Sequence, residues 1–178
     1  MLIPTLKFCR IRKVKSPIRA HSLDAGIDFF VPTDFDGRGL DPNEAIKIPS
    51  GIRASVPEGF ALIAFNKSGV STKLGLIVGA CVIDAGYQGE IHLHLINVSN
   101  RNVWIIPDTK IVQFILVPIA ISMPEEVREH ELFPKDSPRG SKGFGSTNIA
   151  YMDNSLNPIE MGVYDDDPNP YDGNYSEI

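Results

Sequence analysis

Residues 90–98 read Glu-Ile-His-Leu-His-Leu-Ile-Asn-Val, and this stretch is the clearest indication of the fold class. Apolar side chains at positions 91, 93 and 95 alternate with the imidazoles of His92 and His94. Strict alternation is typical of a β-strand that packs one face against the core and leaves the other face polar. The pattern therefore predicts a half-buried strand with both histidines on the same face.

Further short apolar runs, rich in Val and Ile and bounded by Gly, Pro, Asn or Asp, lie on both sides of this strand. They span residues 3–8, 27–31, 45–48, 52–56, 60–65, 76–83, 103–106 and 111–121. The 178 residues include 15 Gly and 14 Pro, which favours many turns. This spacing predicts an all-β fold, an antiparallel sandwich or barrel, with one helical turn near residues 67–74.

The charge is unevenly distributed along the chain. The net charge is −5, but residues 149–178 contain seven acidic side chains and no Lys or Arg, which leaves +2 for residues 1–148. A mildly basic body suits a small polyanion such as a nucleotide triphosphate, whereas duplex nucleic acid is normally bound by a clustered basic face. We therefore expect no direct nucleic-acid partner.

The number and spacing of the cysteines and the length of the apolar runs indicate the cellular compartment of the protein. Cys9 and Cys81 are the two cysteines and lack CxxC spacing, so neither a disulfide framework nor a zinc site is expected. A transmembrane helix would need about 18 consecutive apolar residues, and no such run is present. We expect a soluble protein without membrane contact, in the cytoplasm or another intracellular compartment, or in the host cell if the protein is viral.

We expect the chain to have three parts, and a change in composition after residue 148 marks the last of them. These are a β-barrel core at residues 1–134, a mobile C-terminal arm at 135–148 and an acidic tail at 149–178. The tail is dominated by Asp, Asn, Pro, Gly and Tyr with little periodicity, which favours a disordered or loosely docked segment. The negative charge of this tail is compatible with binding to a protein partner.

Five short segments have the composition of a nucleotide site. In the first, Ala-Gly-Ile-Asp at residues 25–28, a turn delivers the carboxylate of Asp28 at the start of a strand, although an ordinary turn aspartate has the same pattern. In the second, Asn-Lys-Ser-Gly-Val-Ser at residues 66–71, a cation, a hydroxyl and a glycine follow an apolar strand. Such a loop can bind phosphate oxygens, but it can equally cap its own helix.

The third and fourth segments place polar groups in apolar surroundings. Residues 82–90 read Val-Ile-Asp-Ala-Gly-Tyr-Gln-Gly-Glu and predict two strands joined by a tight hairpin. This hairpin would hold the carboxylate of Asp84 rigidly and present the ring of Tyr87 to a sugar, although a plain hairpin turn is the alternative. Residues 110–114 put the amide of Gln113 in an apolar strand, where neighbouring backbone could also satisfy it.

The fifth segment is Arg-Gly-Ser-Lys-Gly-Phe-Gly-Ser-Thr at residues 139–147. Three glycines, two cations, three hydroxyls and one ring offer many donors for phosphate and one surface for stacking, but little means of packing alone. A P-loop is excluded because GxxxxGK[ST] is absent. A flexible linker would not need Phe144 between two glycines.

In this order, over residues 25–148, the five segments resemble the five motifs of the trimeric deoxyuridine triphosphatase (dUTPase) family. The third (VIDxxYxGE) and the fifth (RGSKGFGST) are the longest and most specific matches. The resemblance implies a jelly-roll-like β subunit in a homotrimer, with each active site at a subunit boundary. It also implies Mg²⁺-dependent hydrolysis of dUTP to dUMP and pyrophosphate.

The resemblance assigns a role to each matched residue. Asp84 resembles the general base for water attack on the α-phosphorus, Gln113 a catalytic phosphate contact, and Asp28 the residue that holds Mg²⁺ through water. Tyr87 resembles the ring that leaves no room for a ribose 2′-hydroxyl. The other implied substrate-binding positions are Lys67, Ser68, Gly69, Cys81, Ile83, Arg139, Phe144, Gly145, Ser146 and Thr147.

The chain departs from the family pattern in three places. Lys67 replaces the usual arginine and cannot provide its bidentate fork to phosphate. Cys81 replaces a glycine where the family reads uracil through backbone groups, so its side chain could reshape the base pocket. The acidic extension after residue 148 is also unusual.

Two rival functions and one rival site have a basis in the sequence. A dCTP deaminase or bifunctional deaminase shares the fold, but its chemistry uses a glutamate, whereas this chain has Asp84 with Tyr87. A weakly active family member could serve as a protein-binding regulator through the acidic tail. His92 and His94 could ring a metal ion at a threefold axis, but a polar channel or subunit contact is the more ordinary role.

Overall fold

The computed structural model describes residues 4–133, 135, 137 and 140, and the backbone of two short strands at 151–152 and 158–159. Residues 1–123 and 124–178 form two compact units. The strands of the first unit are β1 Lys7–Arg10, β2 Ile27–Phe30, β3 Arg38–Leu40, β4 Ala45–Pro49, β5 Ile52–Ser55, β6 Phe60–Asn66, β7 Leu76–Val78, β8 Val82–Ile83, β9 His92–Asn97, β10 Val103–Ile105 and β11 Lys110–Pro118. One helix, α1 Ser68–Leu74, is found in the described part of this unit.

Two sheets and two ribbons organise the first unit. One sheet has the strand order β2-β11-β6-β8 and the other has the order β4-β9-β7. β1 pairs with β5, and β10 pairs with β3. All these pairings are antiparallel, which confirms the predicted all-β class.

The inward faces of both sheets contribute to one hydrophobic core. The rings of Phe29 on β2 and Phe114 on β11 lie 4.4 Å apart, and each residue is 1% exposed. On β9, Leu93 and Leu95 are buried in the same cluster, while the positions between them are partly exposed. The alternation predicted for residues 90–98 is therefore confirmed.

The predicted helical turn is also confirmed, as helix α1. The carbonyl of Lys67 accepts hydrogen bonds from the amides of Val70 and Ser71, both at 2.9 Å. Gly75 ends the helix in the left-handed region (φ 68°), and its amide donates to the carbonyl of Ser71. Glycine adopts this conformation without the steric cost of a Cβ atom.

The predicted hairpin at residues 82–90 is wrong. β8 pairs with β6 in the four-stranded sheet, whereas β9 pairs with β4 and β7 in the other sheet. The connection therefore passes between sheets. The predicted strand 76–83 is likewise divided into β7 and β8, because residues 79–81 cross from one sheet to the other.

Strand β3 was not predicted, because its Arg-Gly-Leu sequence has no apolar alternation. In the second unit, α2 spans Glu129–Leu132 and β12 (Tyr151–Met152) pairs with β13 (Pro158–Ile159). No helix in the described part of the chain is long and apolar enough to cross a membrane. The predicted boundaries after residues 134 and 148, and the predicted disorder of the tail, stay predictions.

Candidate active site

The carboxylate of Asp28 lies between two lysines. Asp28 is 5% exposed, and its Oδ1 accepts a hydrogen bond from Lys67 Nζ. Lys110 Nζ lies 3.2 Å from Oδ2 of the same carboxylate. A carboxylate removed from water needs cationic partners, and here each oxygen has one. Asp28 and Lys67, predicted from separate segments, are therefore brought together.

A β-bulge places Lys110 on the same face as Asp28. Lys110 is opposite Phe30, but the pairing shifts before Val112, which is opposite Phe29. Without the extra residue, Lys110 would point to the other face of the sheet, since side chains alternate along a strand. Lys110 was not among the predicted site residues, and its position at the start of the fourth segment is the signal in the sequence that points to it.

Gln113 lies opposite Asp28 in the β11–β2 pair. Its Nε2 donates a hydrogen bond to the carbonyl oxygen of Asn66 at 2.8 Å. The amide lies directly against Gly26, where a Cβ atom would be 2.0 Å from Gln113 Oε1. The first and fourth segments therefore fit together only because residue 26 has no side chain. We call Asp28, Lys67, Lys110 and Gln113 the carboxylate–lysine cluster.

Ser68 and Gly69 lie at the start of α1, directly after Lys67, and both are exposed. A Cβ atom built at Gly69 would meet nothing within 4 Å. This end of the helix is therefore open to an approaching ligand beside the carboxylate–lysine cluster. The phosphate-binding role of the second segment stays a prediction.

A second group of predicted residues surrounds a cavity of about 250 Å³. Its lining includes Ile83, Asp84 and Tyr87 from the third segment and Cys81 directly before that segment. The other lining residues are Ala80, Val82 and Glu90, with Lys47, His92 and His94 from β4 and β9. The third segment is therefore a cavity wall rather than a hairpin.

A turn holds Asp84 and Tyr87 at the edge of this cavity, which we call the Asp84 cavity. The amide of Tyr87 donates to the carbonyl of Asp84 at 3.2 Å, and Gly86 between them has φ 92°. A residue with a side chain is strained at this φ, so the turn requires glycine. The hydroxyl of Tyr87 donates to the carbonyl of Glu90 at 3.0 Å, which orients the ring.

Among the cavities in the described part of the chain, two that are larger than the Asp84 cavity have volumes of about 340 and 430 Å³. The first is lined by residues outside the five segments, including Asp34 and Asp36. The lining of the second includes Tyr87, Lys7 and Arg53. We assign the candidate site to the smaller Asp84 cavity because it is the one that brings four predicted residues together.

Within a single chain, the carboxylate–lysine cluster is not part of the Asp84 cavity. None of the four cluster residues lines the Asp84 cavity, whose lining lies within residues 47–94. The predicted residues of the fifth segment lie outside the described residues. These are Arg139, Phe144, Gly145, Ser146 and Thr147.

Comparison with known proteins identifies the family. The family model named dUTPase matches residues 12–148, a span that contains all five segments. The chain belongs to the dUTPase family. Among curated relatives of this dUTPase family member, the deoxyuridine 5'-triphosphate nucleotidohydrolase of Clostridium tetani is 36% identical over 146 residues, which is 80% of this chain and 96% of the relative. That of Cutibacterium acnes is 33% identical over 132 residues, or 72% and 82% of the two chains.

Solved dUTPase structures share the fold. The dUTPase of Staphylococcus bacteriophage 80alpha, solved with dUpNHpp, has a TM-score of 0.71 and 28% identity, and the match covers 83% of this chain and 100% of that chain. A variant dUTPase from phage phi11 of S. aureus, solved to describe the coordination of a structural Mg(II) ion, has a TM-score of 0.64 and 25% identity over 71% and 98% of the chains. The predicted jelly-roll-like β fold is therefore confirmed.

Proposed function

We propose that the protein hydrolyses dUTP to dUMP and pyrophosphate, with Mg²⁺ and as a homotrimer. Family membership and the names of the relatives support the reaction. The observation that carries the proposal is the Asp84 cavity, where a carboxylate, an oriented tyrosine ring and the backbone of residues 80–84 surround about 250 Å³. This arrangement supplies a proton acceptor and a shaped wall in one place.

Asp84 acts as the general base in this proposal. Its side chain is exposed at the cavity edge, where water reaches it. The carboxylate accepts a proton from the water that attacks the α-phosphorus, and the pyrophosphate group leaves. Tyr87 selects the sugar in this proposal: the ring, which the hydrogen bond to the Glu90 carbonyl orients, excludes a ribose 2′-hydroxyl.

The donor set around Asp28 fits Mg²⁺ held through water. Both carboxylate oxygens already have lysine partners, so direct coordination would displace an ammonium group. Mg²⁺ dehydrates reluctantly and takes inner ligands from substrate phosphates, so a nearby carboxylate can contact its water shell. When bound, Mg²⁺ neutralises charge on the phosphates. Lys67 and Lys110 supply further positive charge, and Gln113 orients a phosphate oxygen.

The trimer explains how two separate groups of residues serve one substrate. Because the carboxylate–lysine cluster does not line the Asp84 cavity, we propose that one subunit supplies the cavity and its neighbour supplies the cluster. We further propose that Arg139, Ser146 and Thr147 bind the γ-phosphate and that Phe144 covers the base. Light scattering should give about three chains per particle, and a fully active monomer would contradict the shared site.

The decisive experiment measures the product released from dUTP by the purified protein with Mg²⁺. We expect pyrophosphate and a preference for dUTP over dCTP, dTTP and UTP. Asp84→Asn should lower kcat by more than about 100-fold, the low end for a positioned general base. Asp36→Asn, in an exposed position away from the Asp84 cavity, is the matched control and should keep wild-type kcat. Release of orthophosphate would rule out attack on the α-phosphorus.

We propose that residues 149–178 take no part in the chemistry and that their seven acidic side chains engage a basic protein partner. The negative charge would repel the substrate phosphates rather than bind them. Deleting residues 149–178 should therefore leave most of the activity. Loss of turnover in this deletion would place the tail in the active site.

A further inference from the structure

His94 holds two consecutive backbone amides at the entrance to the third segment. Its carbonyl oxygen accepts from the amide of Gly79 at 3.0 Å, and its Nδ1 accepts from the amide of Ala80 at 2.7 Å. The first bond continues the β7–β9 pairing, whereas the second is made by the side chain alone. One residue on β9 thus determines where the chain leaves β7.

The chain leaves β7 in order to cross between the two sheets. After Ala80, the carbonyl of Cys81 accepts from the amide of Ala64 on β6 at 2.7 Å. The crossing is therefore held by β9 on one side and by β6 on the other. Ala80, Cys81 and His94 all line the Asp84 cavity, so the position of this crossing determines the shape of one cavity wall.

Because Gly79 has no side chain, the His94 ring can lie close to the crossing. A Cβ atom at position 79 would be 2.3 Å from His94 Nδ1 and 2.5 Å from Cε1. The imidazole therefore occupies the space that any side chain at residue 79 would need. Packing and hydrogen bonding together restrict both the ring and the backbone that it contacts.

The hydrogen bond also determines the tautomer of His94. A backbone amide can only donate, so His94 Nδ1 carries no proton and the neutral ring carries its proton on Nε2. His92 has the opposite arrangement, because its Nδ1 lies 3.0 Å from the carbonyl of Glu90, which can only accept. The two histidines on this strand face therefore have different hydrogen-bonding roles: Nδ1 of His92 donates to the Glu90 carbonyl, whereas Nδ1 of His94 accepts from the Ala80 amide.

We propose that His94 is a positioning residue that sets base specificity by holding the Ala80–Cys81 crossing in place, an inference that rests on the proposed dUTPase activity. Without the Nδ1 acceptor, the backbone at Ala80 and Cys81 loses a hydrogen bond that holds this cavity wall in place. The turn from Asp84 to Tyr87 has its own hydrogen bond and is unaffected. Substrate affinity and discrimination therefore depend on His94 more than the rate of the chemical step does.

Two substitutions separate the acceptor from the bulk of the ring. Asn keeps a side-chain acceptor in its amide Oδ1, whereas Leu keeps volume but accepts nothing. We expect His94→Leu to raise KM for dUTP by about 3- to 10-fold, as for one lost hydrogen bond, with kcat within about twofold. It should also lower the preference for dUTP over dCTP. His94→Asn should restore both values.

His21→Asn, in an exposed position outside the cavity, controls for loss of a histidine and should match wild type. Amide hydrogen exchange at Ala80, measured without nucleotide, should be faster in His94→Leu than in wild type or His94→Asn. Equal exchange in all three proteins would overturn the anchoring role, whatever the activity. Faster exchange in an active His94→Leu protein with unchanged KM and preference would overturn the specificity role. A wild-type protein that does not hydrolyse dUTP refutes the proposed function separately.

Discussion

Replacing Gly26 with alanine tests whether Gln113 must keep its observed position for catalysis. The new Cβ atom would lie 2.0 Å from Oε1 and 2.8 Å from Cδ of Gln113, whereas ordinary contact begins at 3.4 Å. The amide must therefore retreat by about 1.4 Å, which breaks its 2.8 Å hydrogen bond to the carbonyl of Asn66. The backbone need not move, because the obstructing atoms belong to the end of a flexible side chain.

A displacement of about 1 Å in a group that positions substrate can cost about 100-fold in rate. We expect Gly26→Ala to lower kcat/KM for dUTP by about 10- to 100-fold, measured as the initial rate of pyrophosphate release. The free energy of unfolding should fall by only about 1 kcal/mol, because one partly exposed hydrogen bond is lost. Urea denaturation at fixed protein concentration measures this value and excludes a folding defect.

A double-mutant cycle shows whether the effect passes through Gln113. In a Gln113→Ala background the amide is absent, and the remaining contact of Gly26 is with the Cβ atom of residue 113 at 3.2 Å. Adding Gly26→Ala there should change kcat/KM by less than about threefold, since this contact is only slightly tight. If the two substitutions lowered kcat/KM by independent factors that multiply, the effect of Gly26→Ala would not pass through Gln113. A Gly26→Ala protein with wild-type kcat/KM would show that the position of Gln113 is not critical for catalysis.

Three further outcomes follow from burial and charge. Phe114→Ala should lower the free energy of unfolding by about 3–5 kcal/mol in urea, because the ring is 1% exposed against Phe29; a loss below about 1 kcal/mol would contradict that packing. Asn97→Ala should cost about 2–3 kcal/mol in the same assay, because its buried amide donates to two carbonyls and accepts from Ser99; Ser99→Ala should cost less. Asp28→Asn should raise the Mg²⁺ concentration for half-maximal activity, and an unchanged Mg²⁺ titration would remove Asp28 from the metal site.

Much of the candidate site could be predicted because its chemistry lies in short segments. Asp28, Lys67 and Gln113 were predicted separately, and the structure brings them together. Ile83, Asp84 and Tyr87 were predicted in one segment, with Cys81 directly before it, and all four line one cavity. Lys110 was missed, because a β-bulge places it beside Asp28 and nothing in the alternation of side chains predicts a bulge.

The local features of this protein follow from short stretches of its sequence: the buried face of β9, the helix that ends at Gly75, and the turn that requires Gly86. They depend on side-chain periodicity and on the backbone angles that each residue type allows. The long-range contacts depend on tertiary packing: β8 pairs with β6 rather than β9, and the His94 ring accepts a hydrogen bond from the amide of Ala80. The pairing of strands depends on which apolar faces are buried together across the whole core. A run as short as Val82–Ile83 has no alternation of apolar and polar side chains from which its partner strand could be predicted.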